Sequence, residues 1–282
     1  MELEFFNQYK EYLYNDGYIE ADKFKNTRIP NVLYKYFPCI ENRLNSLLNQ
    51  KLWLAQHETF KDPHEFEFMF IDKEKFDEAK LLGEEWGILY KYYGKDFFNI
   101  SYDEAIQFMK KSSKLISISC FTTDHNNDYF WSEYANSQNG FCVEYKINKK
   151  TNFYPVIYTD EKVEVSDVLK TLIIETKKSI IDEHRLEQEN GKKYNVISTS
   201  GMDYISYLYF NYCCKGLKWK KEDEYRIVFA NDKVQMAPGK EIDYTALNIS
   251  ANKIFIGKNC SDKDKKSLEE IADKFKIECD IM

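Results

Sequence analysis

The chain is poor in the residues that break, staple or metallate proteins: 282 residues include 5 prolines, 10 glycines, 4 histidines and 7 cysteines. No Pro/Gly-rich linker, internal repeat or low-complexity tract divides it. Histidines 57, 64, 125 and 184 make no HxxxH or HExxH pattern and the cysteines make no CxxC pair, so the usual zinc spacings are missing and no metal is expected. An odd number of scattered thiols, with Cys213 beside Cys214, points to unpaired cysteines in a reducing cytoplasm. GxGxxG and GxxxxGK[ST] are both missing, which argues against a doubly wound nucleotide fold. The longest apolar-rich stretch, "YISYLYFNYCC", is about half of a ~20-residue membrane span. "MELEFFNQYKEYLYND" has neither the basic start nor the apolar centre of a signal peptide. Positive charge is also in deficit: at a net charge of −7, nothing global draws the chain to nucleic acid or an anionic membrane. Lys215, Lys218, Lys220 and Lys221 read as an evenly solvated face.

What the chain does have is rings. Apolar residues make up 43% and aromatics 16%, with 22 Tyr and 20 Phe, which excludes disorder and implies a ring-rich core. Tyr packs its ring while its hydroxyl stays wet, so the same composition suits a cleft. The length allows one sizeable core. We expect a single α+β domain over 1–282, with a mixed or antiparallel central sheet and helical insertions at about 72–113 and 164–214.

The periodicities carry that expectation. Phe5, Tyr9, Tyr12 and Leu13 fall at helical intervals within 3–24, and Leu44, Leu47 and Leu48 do so after "NVLYKYF" (31–37). In "KLISISCF" (114–121), Ile116, Ile118 and Cys120 alternate with Ser117 and Ser119, as in a strand. "KLWLA", "FCVEYK", "FYPVIYT", "DEYRIVFA", "KIFIG" and "KIECDIM" read as further strands. "YFWSEYAN" reads as a short helix before an Asn-Gly turn, and 261–274 as a longer one.

Four stretches carry candidate chemistry: "LYKYFP", "FKDPHEF", "CFTTDHNNDYFWSEYANSQNGFCVEY" and "KGLKWKKEDEYRIVF". In the last, a continuous strand would put Glu222 and Glu224 on one face, roughly 7 Å apart. Arg226 would share that face and could fix the Glu224 rotamer. Either this is a site, with Glu224 and Glu222 as catalytic carboxylates, or it is a charged edge that discourages aggregation. Lys35 shares a face with Leu33 and Phe37. It either snorkels to solvent or contacts a ligand phosphate or ribose. Asp62 and Glu65 flank a proline and either stiffen a loop or line a cleft. Trp131 and Tyr134 are core residues or part of a ligand site, with Tyr36 and Glu133 alongside. "DHNND" around His125 lacks metal-ligand spacing and reads as a solvated loop.

In order and over nearly the whole chain, these stretches resemble a widespread bacterial family labelled only as a domain of unknown function. Its pattern is Tyr-Lys-Tyr, Phe-Asn-Asp-Pro-Phe-Glu, Cys-Phe-Ser…Trp-Ser-x-Tyr-Ala…Gly-Phe-Cys and Lys…Trp…Glu-x-Glu-Tyr-Arg. Here Lys61 replaces the Asn and His64 the second Phe. The order of elements is also similar to that of ADP-ribosyltransferases, whose first strand bears Arg or His after an aromatic and whose late strand bears Glu-x-Glu. Here Lys35 stands at the first of those positions. That resemblance implies an enzyme that cleaves NAD and passes ADP-ribose to an acceptor, protein or nucleic acid, as in a toxin-like effector of defence against phage. It implies Lys35, Tyr36, Asp62, Trp131, Tyr134 and Arg226 as ligand contacts and NAD as a substrate. A non-enzymatic sensor or binding module remains the alternative. Less favoured is a metal-dependent nuclease built from Asp62, Glu65, Glu222, Glu224 and Lys218, since the ordered Asp…Glu-x-Lys motif is missing.

Overall fold

The computed structural model describes residues 3–60, 66, 68–74, 101–191, 208–209, 211–231 and 238–282. They form an α+β fold around a mixed, mostly antiparallel sheet. The strands are β1 (Val32–Pro38), β2 (Lys51–Gln56), β3 (Met69–Phe70), β4 (Ile116–Thr122), β5 (Gly140–Ile147), β6 (Phe153–Pro155), β7 (Ile157–Tyr158), β8 (Val163–Glu164), β9 (Cys214–Lys215), β10 (Glu224–Ala230), β11 (Gly239–Asp243), β12 (Ile249–Ile256) and β13 (Glu278–Ile281). The helices are α1 (Leu3–Asn15), α2 (Tyr18–Asn26), α3 (Glu41–Leu48), α4 (Tyr102–Ser113), α5 (Asp128–Glu133), α6 (Ser166–Asn190), α7 (Tyr244–Leu247) and α8 (Asp262–Phe275).

One irregularity in the sheet positions everything that follows. β10 runs antiparallel to β4 along its whole length, from Glu224 opposite Thr122 to Ala230 opposite Ile116. The other edge of β4 is shared. β2 pairs with its start (Ala55 with Ile118, Gln56 with Ser117), and β1 meets only its end (Tyr34 with Thr122). The sheet therefore forks. Between the prongs, no strand among the described residues pairs with residues 119–121 of β4 on that edge. The ammonium of Lys35 fills part of the gap, donating to the carbonyl of Cys120 at 2.8 Å, because a buried carbonyl left without a donor is costly.

Two cores clamp the sheet. On one face Leu33, Phe37, Phe121, Val143 and Ile227 pack with Leu47 of α3, Leu247 of α7 and Leu268 of α8. On the other, Ile116, Ile118 and Val228 pack with Phe6 and Tyr9 of α1, Ala21 of α2, Ala105 of α4 and Leu169 of α6. The helix expected over 3–24 is two helices, because Gly17 between them adopts φ 81°, a region open to glycine. "FYPVIYT" divides likewise: β6 joins β10 and β7 joins β9 in a separate small sheet. β11, which pairs with β2, has no counterpart among the expected strands. Of the two expected helical insertions, α4 and α6 are described, and 75–100 and 192–207 lie outside the described residues.

Candidate functional site

A cavity of about 440 Å³ opens in the fork, within the range of small-molecule sites. Its walls come from β1, β2, β4, α5 and the segment Leu217–Glu222, and they are dominated by rings, among them Trp53, Phe60, Phe121, Tyr134 and Trp219.

Its acidic end is a buried ion cluster. Glu224 opens β10 and is 5% exposed. Its Oε1 accepts from Arg226 Nε at 2.6 Å and its Oε2 from Lys215 Nζ at 2.9 Å, while its backbone N–H donates to Tyr158 Oη at 2.8 Å. Burial alone would raise its pKa, but Arg226, Lys215 and a hydrogen bond from the Cys120 thiol outweigh it and hold the carboxyl well below the usual carboxylate range. Arg226 is fully buried, donates Nη1 to the Tyr212 carbonyl at 2.5 Å, and lies against the rings of Phe60 and Phe66. Residues spaced by two on a strand share a face, and that spacing brings Glu224 and Arg226 together.

Glu222 reaches the same cluster by another route. It does not sit on a strand: it ends the 3₁₀ segment Leu217–Glu222, and Asp223 (φ 41°, ψ 55°) turns the chain into β10. The Thr122 hydroxyl pins this turn by donating to the Glu222 carbonyl at 3.0 Å, and the Thr123 hydroxyl donates to the Asp223 carboxylate. The expected strand geometry for Glu222 is thus corrected, and so is the reading of it as a solvated rim, since Glu222 is only 2% exposed. Its Oε2 accepts from Lys215 Nζ at 2.5 Å, whereas Oε1 has no hydrogen-bond partner among the described residues. Burial raises its pKa against the pull of Lys215, and neighbouring Glu224 adds to the rise. One carboxyl of the pair is therefore firmly ionised, and the other holds its proton more tightly than usual.

Lys215 joins the two. Grouped by sequence with a solvated basic face, it is instead 7% exposed and also lies over the Trp219 ring at 5.1 Å; Lys218, Lys220 and Lys221 are exposed. Lys215 lies on β9, Glu222 at the end of the 3₁₀ segment and Glu224 at the start of β10, so no single helix or strand links them and only the folded chain reveals the cluster. Arg43 is a second residue that the sequence reading missed. It is partly buried, lines the cavity, and stacks over Trp53 at 5.8 Å.

Lys35 lines the cavity as well, but from across the sheet. Tyr34, Thr122 and Glu224 stand opposite one another, so they share a face, and Lys35, one residue on, belongs to the other. It approaches Glu224 through the fork instead of on a common face, near enough for that carboxylate to act on its ammonium; burial, the larger effect, lowers its pKa. Its ammonium turns inward to donate to the Cys120 carbonyl, so the snorkelling alternative is corrected too.

Trp131 and Tyr36 take different places. Trp131 is 2% exposed, donates Nε1 to the His125 carbonyl at 2.8 Å, and is not among the residues lining the cavity. As a ligand contact it is corrected: it packs edge-on to Tyr36 in a small separate core with Phe130 and Phe255. Tyr36 borders the cavity while its hydroxyl donates to the Asp124 carbonyl at 2.9 Å. Tyr134 does face the cavity, 39% exposed and stacked on Phe130 at 5.2 Å, and Glu133 lines it too. Asp62 and Glu65 lie outside the described residues.

Fork, aromatic cavity and buried carboxylate cluster together define a protein with a built polar site inside an α+β sheet. Residues 130–227, which include Tyr134, Lys215, Glu222, Glu224 and Arg226, match the model of a family described as a protein of unknown function (DUF2971). No curated protein and no solved structure matches the chain.

Proposed function

We propose that the chain is an ADP-ribosyltransferase-like enzyme that cleaves the nicotinamide–ribose bond of NAD and passes ADP-ribose to an acceptor, protein or nucleic acid. The observation that carries this reading is a buried Glu222, whose Oε1 has no hydrogen-bond partner among the described residues, beside an ionised Glu224 in an aromatic-lined cavity. When the bond breaks, its electron pair leaves with nicotinamide and the ribose carbon becomes oxocarbenium-like. Preorganised negative charge stabilises that state. Each carboxylate oxygen accepts in two directions, so Glu224 can still take a ribose hydroxyl. Glu222, with an oxygen free, is placed to accept a proton from the incoming nucleophile as its lone pair closes on the ribose carbon. Aromatic walls suit a flat base, and Arg43 and Lys35 supply positive charge for phosphates. A toxin-like role in phage defence rests on family resemblance alone.

A binding module is the second reading, favoured by one feature: both oxygens of Glu224 already meet cations, which offset its charge. The nuclease fits worst, because the Lys215 ammonium lies between the two carboxylates where a divalent ion would have to sit. The test pairs nicotinamide release from NAD with NAD-dependent melting. Release that is lost in Glu222→Gln supports the enzyme; a melting shift with no release supports the module; neither effect removes NAD from both.

A further inference from the structure

Away from the cavity, the far end of β1 meets the start of α8. Cys39 follows Pro38, and Cys260 precedes the Ser261 cap of α8. Their sulfurs lie 3.3 Å apart although 221 residues separate them in the chain. Asp264, in the first turn of α8, brings a carboxylate to the same point, and the three donor atoms all lie within 4.8 Å of one another. We propose that Cys39, Cys260 and Asp264 bind a thiophilic divalent cation, zinc by the chemistry of the donors.

Several features support a built site. The donor set is two sulfurs and one oxygen, which suits zinc and is a poor fit for magnesium or calcium. With Zn–S near 2.3 Å and Zn–O near 2.1 Å, a tetrahedral ion needs sulfurs about 3.8 Å apart, so the pair must open by only about half an ångström. The backbone that carries the donors is also fixed. Asn259 N–H donates to the Gln138 carbonyl at 3.1 Å, Cys260 N–H to the Gly257 carbonyl at 3.0 Å, and Gly257 N–H to the Gly140 carbonyl at 2.9 Å. Gly257 is tight enough there that a Cβ would lie 2.2 Å from the Gln138 carbonyl oxygen. Ser261 Oγ donates to Asp264 Oδ2 at 2.7 Å, holding the carboxylate by one oxygen and leaving the other for the ion, as outer partners of metal ligands do. Cys260 is buried and Cys39 only partly so, which gives the ion a way in. Water, or the Asn139 carbonyl that Cys260 Sγ already approaches at 3.5 Å, completes four-coordination. Zinc releases the two thiol protons on binding. Because Cys39 directly follows the β1 residues that border the cavity, the ion would tie that wall to α8.

The experiment uses the full chain, reduced with a phosphine and stripped of metal. Zinc is titrated against a chromophoric chelator, and cobalt is added as a spectroscopic probe. The expected result is one zinc per chain, a thiolate-to-cobalt absorption band, and zinc-dependent protection of Cys39 and Cys260, but not Cys279, from alkylation. Cys39→Ser should abolish the band. Asp264→Asn, which keeps both thiols and serves if the cysteine variant misfolds, should weaken zinc at least tenfold. No stoichiometric uptake, uptake unchanged in Cys39→Ser, or a Cys39–Cys260 pair that merely oxidises to a disulfide without zinc protection would each overturn the site.

Discussion

Replacing Glu224 by Gln is the obvious test of the site, and the structure says that it will damage the fold first. The amide preserves shape but takes one negative charge from a cluster in which Arg226 is fully buried and Lys215 nearly so. Glu224 is the partner the two cations share, Arg226 through Nε at 2.6 Å and Lys215 through Nζ at 2.9 Å. Removing one member of a buried ion pair costs about 3–5 kcal/mol, because the remaining charge stays desolvated without compensation. Against a typical total stability of about 5–15 kcal/mol that is a large fraction. At about 2–4 °C per kcal/mol for a chain of this size class, melting should fall by roughly 6–20 °C. Urea unfolding of wild type and variant, beside calorimetric melts, measures the loss. A Glu224→Gln protein melting within about 2 °C of wild type would refute the buried-cluster reasoning.

The same geometry shows which variant can report on chemistry. Burial and neighbouring Glu224 raise the pKa of Glu222, so its charge contributes less to the cluster than that of Glu224, and its Oε1 has no hydrogen-bond partner among the described residues. An amide there can still accept from Lys215, so Glu222→Gln should cost only about 1 kcal/mol, the net worth of an ordinary hydrogen bond. If Glu222 handles a proton during turnover, the rate should fall on the order of a hundredfold or more. A lost rate in a well-folded Glu222→Gln is interpretable; the same loss in Glu224→Gln is not.

The two carboxyls should also leave opposite marks on stability against pH. Glu224, depressed in the fold, contributes fully above the ordinary Glu pKa of about 4.3 and loses its contribution as pH falls below it, so the gap between wild type and Glu224→Gln should close in acid. Glu222, raised in the fold, makes wild type more stable as pH falls from neutral toward about 4.3, a slope that Glu222→Gln should lack; matching slopes in acid titrations of the melt would contradict the assignment. On the alkaline side, buried thiols such as Cys142 and Cys213 stay neutral in the fold while unfolded thiols ionise near 8.5, so stability should decline above about pH 8.5, and denatured protein should titrate seven free thiols. Arg43→Ala should leave the melt within about 1 kcal/mol of wild type yet remove the shift produced by NAD, and an unchanged shift would place the phosphates elsewhere.

How far the sequence carried this follows from the range of each interaction. Local periods survived folding: Glu224 and Arg226 meet because a strand repeats every two residues, and the alternation of Ile116, Ile118 and Cys120 with Ser117 and Ser119 is the alternation of β4. Glu222 broke the pattern through a single left-handed residue, Asp223, and a Glu-Asp-Glu string gives no warning of one. Residue type does not place Trp131; its packing against Tyr36, Phe130 and Phe255 does. The fork lay furthest out of reach. It arises because β1 and β2 divide one edge of β4, a pairing between segments some 60 to 90 residues apart that no local pattern encodes. Lys35 has a structural and a ligand-facing place at once. At the fork the Lys35 ammonium donates to a carbonyl of β4, and the same gap in strand pairing is what opens space for a ligand. A lysine that completes the sheet there necessarily lines the cavity, so its structural duty and its place in the site have one cause.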